Sequence, residues 1–205
     1  MNLIASPLEP GRVGFDTFDV VTRPQLAPLA DWKARFSFAA RYLDNLTRGE
    51  LEALCSSVGP VLPVTFADHF SPDEAIARAT ALGIPKGCHL WLDVEGLAAS
   101  TNIPTLIAEI NAWANKIKLA GWLPGAYFAD RTLLTSAEMY ALAIVGYWRG
   151  AARIMDRFGA LAEPSCGWML EQLTPANHPF GGTLIDFDVS RTDFHGRSVI
   201  ACAAA

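Results

Sequence analysis

The chain has 205 residues, 51% of them hydrophobic, with a mean hydropathy of +0.23. That is enough to bury one sizeable core and too short for two full domains, so a single domain spanning residues 1–205 is expected. A formal net charge of -5, from 21 acids against 16 Lys and Arg with no block of like charge, argues against a face for nucleic acid or an anionic membrane.

Met1–Arg12 has no basic stretch followed by an apolar core, and no segment reaches the roughly 18 apolar residues of a membrane span. The expectation is a chain made in the cytoplasm without a signal peptide, which meets an extracellular polymer only if released or exported. Short apolar runs then alternate with segments of helical period, the pattern of β/α units around a parallel sheet. The runs are Val13–Phe18, Phe38–Leu43, Val61–Ala67, His89–Val94, Gly125–Phe128, Ala143–Trp148, Trp168–Leu173 and Leu184–Val189.

Between them, Thr47–Val58 opens with Thr47 and has Glu50 at capping-box spacing, and Ser71–Leu82 opens Ser-Pro-Asp-Glu and stops at Gly83. Ile103–Ala120 carries Leu106, Ile110, Trp113 and Ile117 at spacings of three and four and stops at Gly121, so it should cover a sheet face. Thr135–Leu142 and Ala151–Leu161 are further helix candidates, while Thr174–Thr183, rich in Pro and Gly, reads as irregular. The tail Ser198–Ala205 fits a last β-segment, a packed extension or a disordered end. Eight strands joined by seven crossovers in this length lie at the lower edge of a (β/α)8 TIM-type barrel, compact and with shortened or missing helices. A doubly wound open sheet is the alternative, but no G-x-G-x-x-G or P-loop follows the first strand, and no cofactor is expected.

Cys55, Cys88, Cys166 and Cys202 include no C-x-x-C pair and no close pair of His partners, so neither a zinc site nor a thioredoxin-like motif is suggested, and buried free thiols are expected over a disulfide framework. The remaining chemistry is acidic. In a parallel barrel the reactive groups collect at the C-terminal ends of strands. Every strand but the sixth delivers a carboxylate there: Asp16 and Asp19, Asp44, Asp68 beside His69, Asp93 and Glu95, Asp130, Glu171 beside Gln172, and Asp186 and Asp188. A solvated loop or a helix cap accounts for most of these singly, Asp44 and Asp68 in particular. It does not account for Asp93 and Glu95, which stand at i and i+2 on one face of an otherwise apolar strand. Two carboxyls in a partly dry mouth cannot both ionise easily, so one keeps a proton near neutral pH, as glycosidic-bond cleavage requires. Asp16 and Asp186 or Asp188 join the same mouth if the first and eighth strands meet. Phe18, Trp91, Phe128, Trp148 and Trp168 are candidate sugar platforms, at least half of them expected in the core.

Five segments in order, Gly14-Phe15-Asp16-Thr17-Phe18, Trp91-Leu92-Asp93-Val94-Glu95, Gly121-Trp122-Leu123-Pro124-Gly125-Ala126-Tyr127, Glu171-Gln172-Leu173 and Ile185-Asp186-Phe187-Asp188, resemble family 25 glycoside hydrolase lysozymes. They resemble still more the related glycoside-hydrolase-like group called domain of unknown function 1906. The resemblance implies a (β/α)8-type barrel that hydrolyses the β-1,4 bond after N-acetylmuramic acid in peptidoglycan. It implies Glu95 as general acid, Asp93 as the carboxylate that orients or stabilises the substrate, and Asp16 and Asp186 beside them. Phe18, Asp188, Gln172, Tyr127 and Trp91 are the corresponding substrate-binding candidates. Where the family commonly has Trp-Gln, this chain has Glu171-Gln172.

Two other readings compete. One is a non-catalytic glycan-binding or structural component of a virion or envelope, which the hydrophobic surplus would suit as a homo-oligomer or docked subunit. The other is a metal-dependent hydrolase using Asp16, Asp93, Glu95 and His69, weakened because His89, His178 and His195 show no ligand spacing; no metal is expected.

Overall fold

A computed structural model describes residues 1–22, 25, 36–66, 71–98 and 100–205. Ala67, Asp68 and His69, named above as the end of the third run and its polar residues, lie outside the described residues. All eight predicted runs contribute strands. These are β2 (Val13–Thr17), β3 (Ala39–Tyr42), β4 (Val61–Phe66), β5 (His89–Asp93), β6 (Leu123–Phe128), β7 (Gly146–Arg149), β8 (Leu170–Phe180) and β9 (Thr183–Ser190). They pair in sequence order and β9 closes on β2, forming an eight-stranded barrel.

The barrel departs from eight parallel strands at its last member. Strands β2 to β8 are mutually parallel, but β9 runs antiparallel to both β8 and β2. Thr174–Thr183, read as irregular from its Pro and Gly, is a hairpin: β8 continues past an irregularity between Leu173 and His178, and pairs His178 with Ile185 and Phe180 with Thr183. Two further strands, β1 (Leu3–Pro7) and β10 (Ile200–Ala204), pair with each other, so the tail is a β-segment. β10 also joins β4 through Cys202 and Val61.

Four helices lie among the described residues: α1 (Arg48–Ser57), α2 (Pro72–Ala81), α3 (Ile103–Leu119) and α4 (Ser136–Tyr140). Their starts follow the sequence signals, with Thr47, Ser71, Asn102 and Thr135 each accepting a backbone N–H of the first turn. Only at α4 is the capping box complete. At α1, Glu50 turns away from Thr47 and instead accepts the Val21 N–H at 2.9 Å and Arg41 Nε at 2.8 Å. Ala151–Leu161 forms no helix. Asp156 there accepts the N–H groups of Phe158 and Ala160, and Gly159 takes a positive φ of 78°, so the segment folds as turns.

Strand alternation divides the core into two layers. Phe15, Leu90 and Leu92 face outward into one continuous cluster that also takes in Leu106, Ile110 and Trp113 of α3, and Phe15 packs edge-on against Phe36. Phe38, Leu62, Val64, Trp91, Tyr127 and Trp148 fill the barrel, and Leu8, Val199 and Ala201 belong to the same inner cluster. Trp91 fits because β6 and β7 carry glycines beside it; a Cβ on Gly125 would stand 2.5 Å from its ring, and one on Gly146 3.1 Å.

Gly125→Ala should therefore destabilise the fold by about 1–3 kcal/mol in urea unfolding. Gly49→Ala, in open space in the first turn of α1, should leave stability unchanged or raise it by up to about 1 kcal/mol.

Candidate active site

Three strands bring the acids together. On β5 the inward residues are His89, Trp91 and Asp93, so Asp93 ends the strand at the mouth, and Glu95 follows two residues later on the same side. On β2 the inward Asp16 stands opposite Asp186 of β9, and Gly14 opposite Asp188. The reversed direction of β9 decides the depth of its two acids. In a parallel strand Asp188 would be nearer the open end; running antiparallel, Asp186 reaches the mouth and Asp188 sinks into the barrel with no exposed surface.

Each buried carboxylate has specific partners. Tyr42 donates its phenol to Asp93 Oδ2 at 2.8 Å, and Asp93 Oδ1 accepts the Glu95 N–H at 3.1 Å. Gln172 donates Nε2 to Asp186 Oδ2 at 2.6 Å and, more weakly, to Asp16 Oδ2 at 3.4 Å, while Tyr127 donates to its Oε1 at 2.8 Å. Asn177, in the β8–β9 hairpin, donates its N–H to Asp186 Oδ1. Trp148 Nε1 donates to Asp188 Oδ1 at 3.1 Å.

Burial and mutual repulsion hold protons on these groups. Burial first, then the Asp186 charge, raises Asp16 to about 7. Burial and the Glu95 charge raise Asp93 to about 7, against the Tyr42 hydrogen bond, which lowers it. Asp188 is raised well above the carboxylate range by burial and by Asp16, so it keeps its proton and shares it with that neighbour. Glu95 reaches solvent, yet desolvation at the mouth wall and the charges of Asp186 and Asp130 raise it too.

Two adjoining cavities of about 260 and 220 Å³ open over these groups, sharing Asp16, Tyr42, Glu95, Asn177 and Asp186. Phe18 and Asp19 line the first; Tyr127, Trp148 and Gln172 line the second. Phe18 is 51% exposed and packs on Tyr42 and Phe66, with ring centroids 5.6 and 5.3 Å away. Asp19 binds Thr183 and Leu184 of β9 and fastens the rim.

Several candidates sit elsewhere. Trp91 is fully buried beneath the mouth, against His89 and Trp148, and lines neither cavity; Asp188 is likewise sealed below. Neither is placed to touch a ligand. Phe128 and Trp168 belong to the outer core, and Glu171 points out of the barrel to Arg149 and Arg191 at 2.9 and 2.6 Å. Tyr42 and Asn177 escaped the sequence reading. Inward alternation with Ala40 could have flagged Tyr42, whereas Asn177 depends on the hairpin. Among the described residues no group of three or more His, Cys, Asp or Glu side chains is arranged to hold a metal ion.

The fold and site define a closed eight-stranded α/β barrel with an acidic mouth. By structure, the chain is similar to the Tat-secreted protein Rv2525c of Mycobacterium tuberculosis, crystallised with L-tartrate. The match has a TM-score of 0.62 and 12% identity, and covers 89% of this chain and 96% of that one. A putative fructose-1,6-biphosphate aldolase from Coccidioides immitis matches with a TM-score of 0.43 and 14% identity, over 67% of this chain and 54% of that one. No family model and no curated protein matches the chain.

An acid raised in the folded state, here to about 7 for Asp16 and Asp93, binds its proton more tightly there than in the unfolded chain. Its stabilising contribution is present below about pH 4 and is lost as pH rises to about 7. Urea unfolding across that window should show Asp93→Asn losing stability less steeply than the wild type, by at most about 1.4 kcal/mol per pH unit. Equal slopes would refute the raised proton affinity of Asp93.

Proposed function

We propose that the chain is a glycoside hydrolase of the lysozyme type, cleaving β-1,4 bonds of cell-wall peptidoglycan. The observation that carries this reading is the pairing of Glu95 and Asp186 across one mouth, close enough that the Asp186 charge raises the proton affinity of Glu95. Glu95 is the general acid that protonates the leaving glycosidic oxygen, since it is the mouth carboxyl that both reaches solvent and is biased toward keeping a proton. Asp186, its carboxylate plane fixed by Gln172 and Asn177, faces the positive charge that develops at the anomeric carbon.

Asp93 is the positioning carboxylate, tied to Tyr42 and to the Glu95 N–H. The exposed face of Phe18 offers a stacking surface for a sugar ring. Action on the wall requires export or release. The finer assignment to a (β/α)8 lysozyme-like family rests on the five sequence segments, and the barrel with its mouth acids is consistent with it.

Purified protein should clear suspended cell walls between about pH 4 and 8, and Glu95→Gln should lower the rate by roughly 10²–10⁴-fold while leaving wall binding intact. Walls left whole by the wild type, yet bound by both proteins, would make the chain a non-catalytic glycan-binding barrel.

A further inference from the structure

At the end of the barrel opposite the acidic mouth, the N-terminal ends of the parallel strands frame a further cavity of about 420 Å³. His89 and Leu123 begin β5 and β6, Val145 and Met169 directly precede β7 and β8, and Ile200 begins β10. Leu123, Val145 and Ile200 are only partly buried, so their side chains give the cavity an accessible apolar wall. The volume suits a small organic molecule. Trp91, fully buried between His89 and Asp93 on β5, separates this cavity from the mouth.

Its polar groups carry no net charge. Burial lowers His89 to about 4, which leaves the imidazole neutral. Arg197 at the rim is paired with Asp193 through Nε at 2.8 Å and Nη2 at 2.7 Å, and Ser198 adds a hydroxyl. The unspent group is on His89. Its Nδ1 accepts the Ile200 N–H at 2.9 Å, so the hydrogen of the neutral ring is on Nε2, and Nε2 is buried without a hydrogen-bond partner among the described residues.

Neighbours on two strands fix where that hydrogen points. Nδ1 is turned to β10, and Cδ2 lies beside Gly146 of β7, where a Cβ would stand 3.2 Å from it. The Nε2 edge therefore points into the gap between Ile200 and Val145 that the cavity occupies, just beneath its lining. Met169 Sδ stands equally close to the same Cβ position, so a flexible thioether borders this edge and yields to an entering group. A buried donor left unbonded costs free energy that an acceptor recovers.

We infer that this cavity binds an uncharged small molecule with an apolar body and one hydrogen-bond acceptor, which takes the His89 Nε2 hydrogen. An ionised ligand is disfavoured, because Arg197 is already neutralised and a charge against Leu123, Val145 and Ile200 loses its hydration. A purely apolar ligand fills the same space but leaves Nε2 unbonded. The site is independent of the reaction at the mouth, so neither reading stands or falls with the other.

The test uses three probes of similar size: acetophenone, which has a carbonyl acceptor; ethylbenzene, which lacks it; and benzoate, which is charged. Binding to the full chain is followed by NMR, with 15N-labelled histidine reporting on Nε2. Acetophenone should bind with a submillimolar Kd, about fivefold tighter than ethylbenzene and at least about tenfold tighter than benzoate, and should move the Nε2 resonance as ethylbenzene does not. Val145→Trp, which fills the cavity, should weaken acetophenone and ethylbenzene alike by about tenfold or more. His89→Phe should remove the acetophenone advantage while leaving ethylbenzene within about twofold. The wild-type comparison decides even where a variant fails to fold. No binding of acetophenone, equal Kd values for acetophenone and ethylbenzene, tighter binding of benzoate, an unmoved Nε2 resonance, or affinity that survives Val145→Trp overturns the assignment.

Discussion

The reversed strand β9 is the seam on which the site depends. By pairing antiparallel with β8 and β2 it closes the barrel and sets Asp186 opposite Asp16 at the rim, while Asp188 is driven inward opposite Gly14. The same reversal returns the chain through the β8–β9 hairpin, whose Asn177 then hangs over the mouth and holds Asp186. Closure and charge placement are thus one event.

Such closure gathers acids at a cost. Two like charges 4 Å apart repel by about 4 kcal/mol at an effective dielectric of about 20, and burial adds desolvation. Outside the barrel the chain answers with arginine. Arg41 meets Glu50 at 2.8 Å, both nearly inaccessible, and Glu171 takes both Arg149 and Arg191. Inside, none of Asp16, Asp93, Glu95, Asp186 and Asp188 takes part in an ion pair among the described residues. Repulsion is relieved by retained protons and by neutral donors: Tyr42, Trp148 and the Gln172 amide. A cation there would have released those protons, and proton-bearing carboxyls are what acid catalysis draws on.

This division explains what the sequence could and could not disclose. Strands β3 to β7 are short, largely buried runs, and each helix start carries its own capping residue, so these elements were legible locally. Strand direction was not: Leu184–Val189 alternates the same way whichever way it runs, and the assumption of a parallel strand put Asp188 at the rim. The Pro and Gly of Thr174–Thr183 looked like a loop because pairing across the hairpin is a property of two segments, not of either alone. The grouping of Asp16, Asp93 and Glu95 was legible through strand ends, whereas Asp186 was singled out from Asp188 only by the family resemblance. The seating of Trp91 was not legible, since its environment is set by glycines on two other strands.

That seating gives Asp93-Val94-Glu95 its division of labour. Trp91 fills the barrel against Gly125 and Gly146 and stacks on His89, whose Nδ1 accepts the Ile200 N–H at 2.9 Å and whose burial lowers it to about 4, leaving it neutral. The floor under the mouth is therefore packed and uncharged. Asp93, two residues on, inherits that rigidity and is locked further by Tyr42. Glu95 lies beyond the last ladder residue, tethered to Asp93 through its N–H while its side chain reaches solvent. A buried anchor followed by a free-ended acid is the arrangement that lets one carboxyl hold geometry while the other approaches a bound oxygen. The two acids on one face of a strand are thus unequal by construction, because one stands on the packed interior and the other stands past its edge.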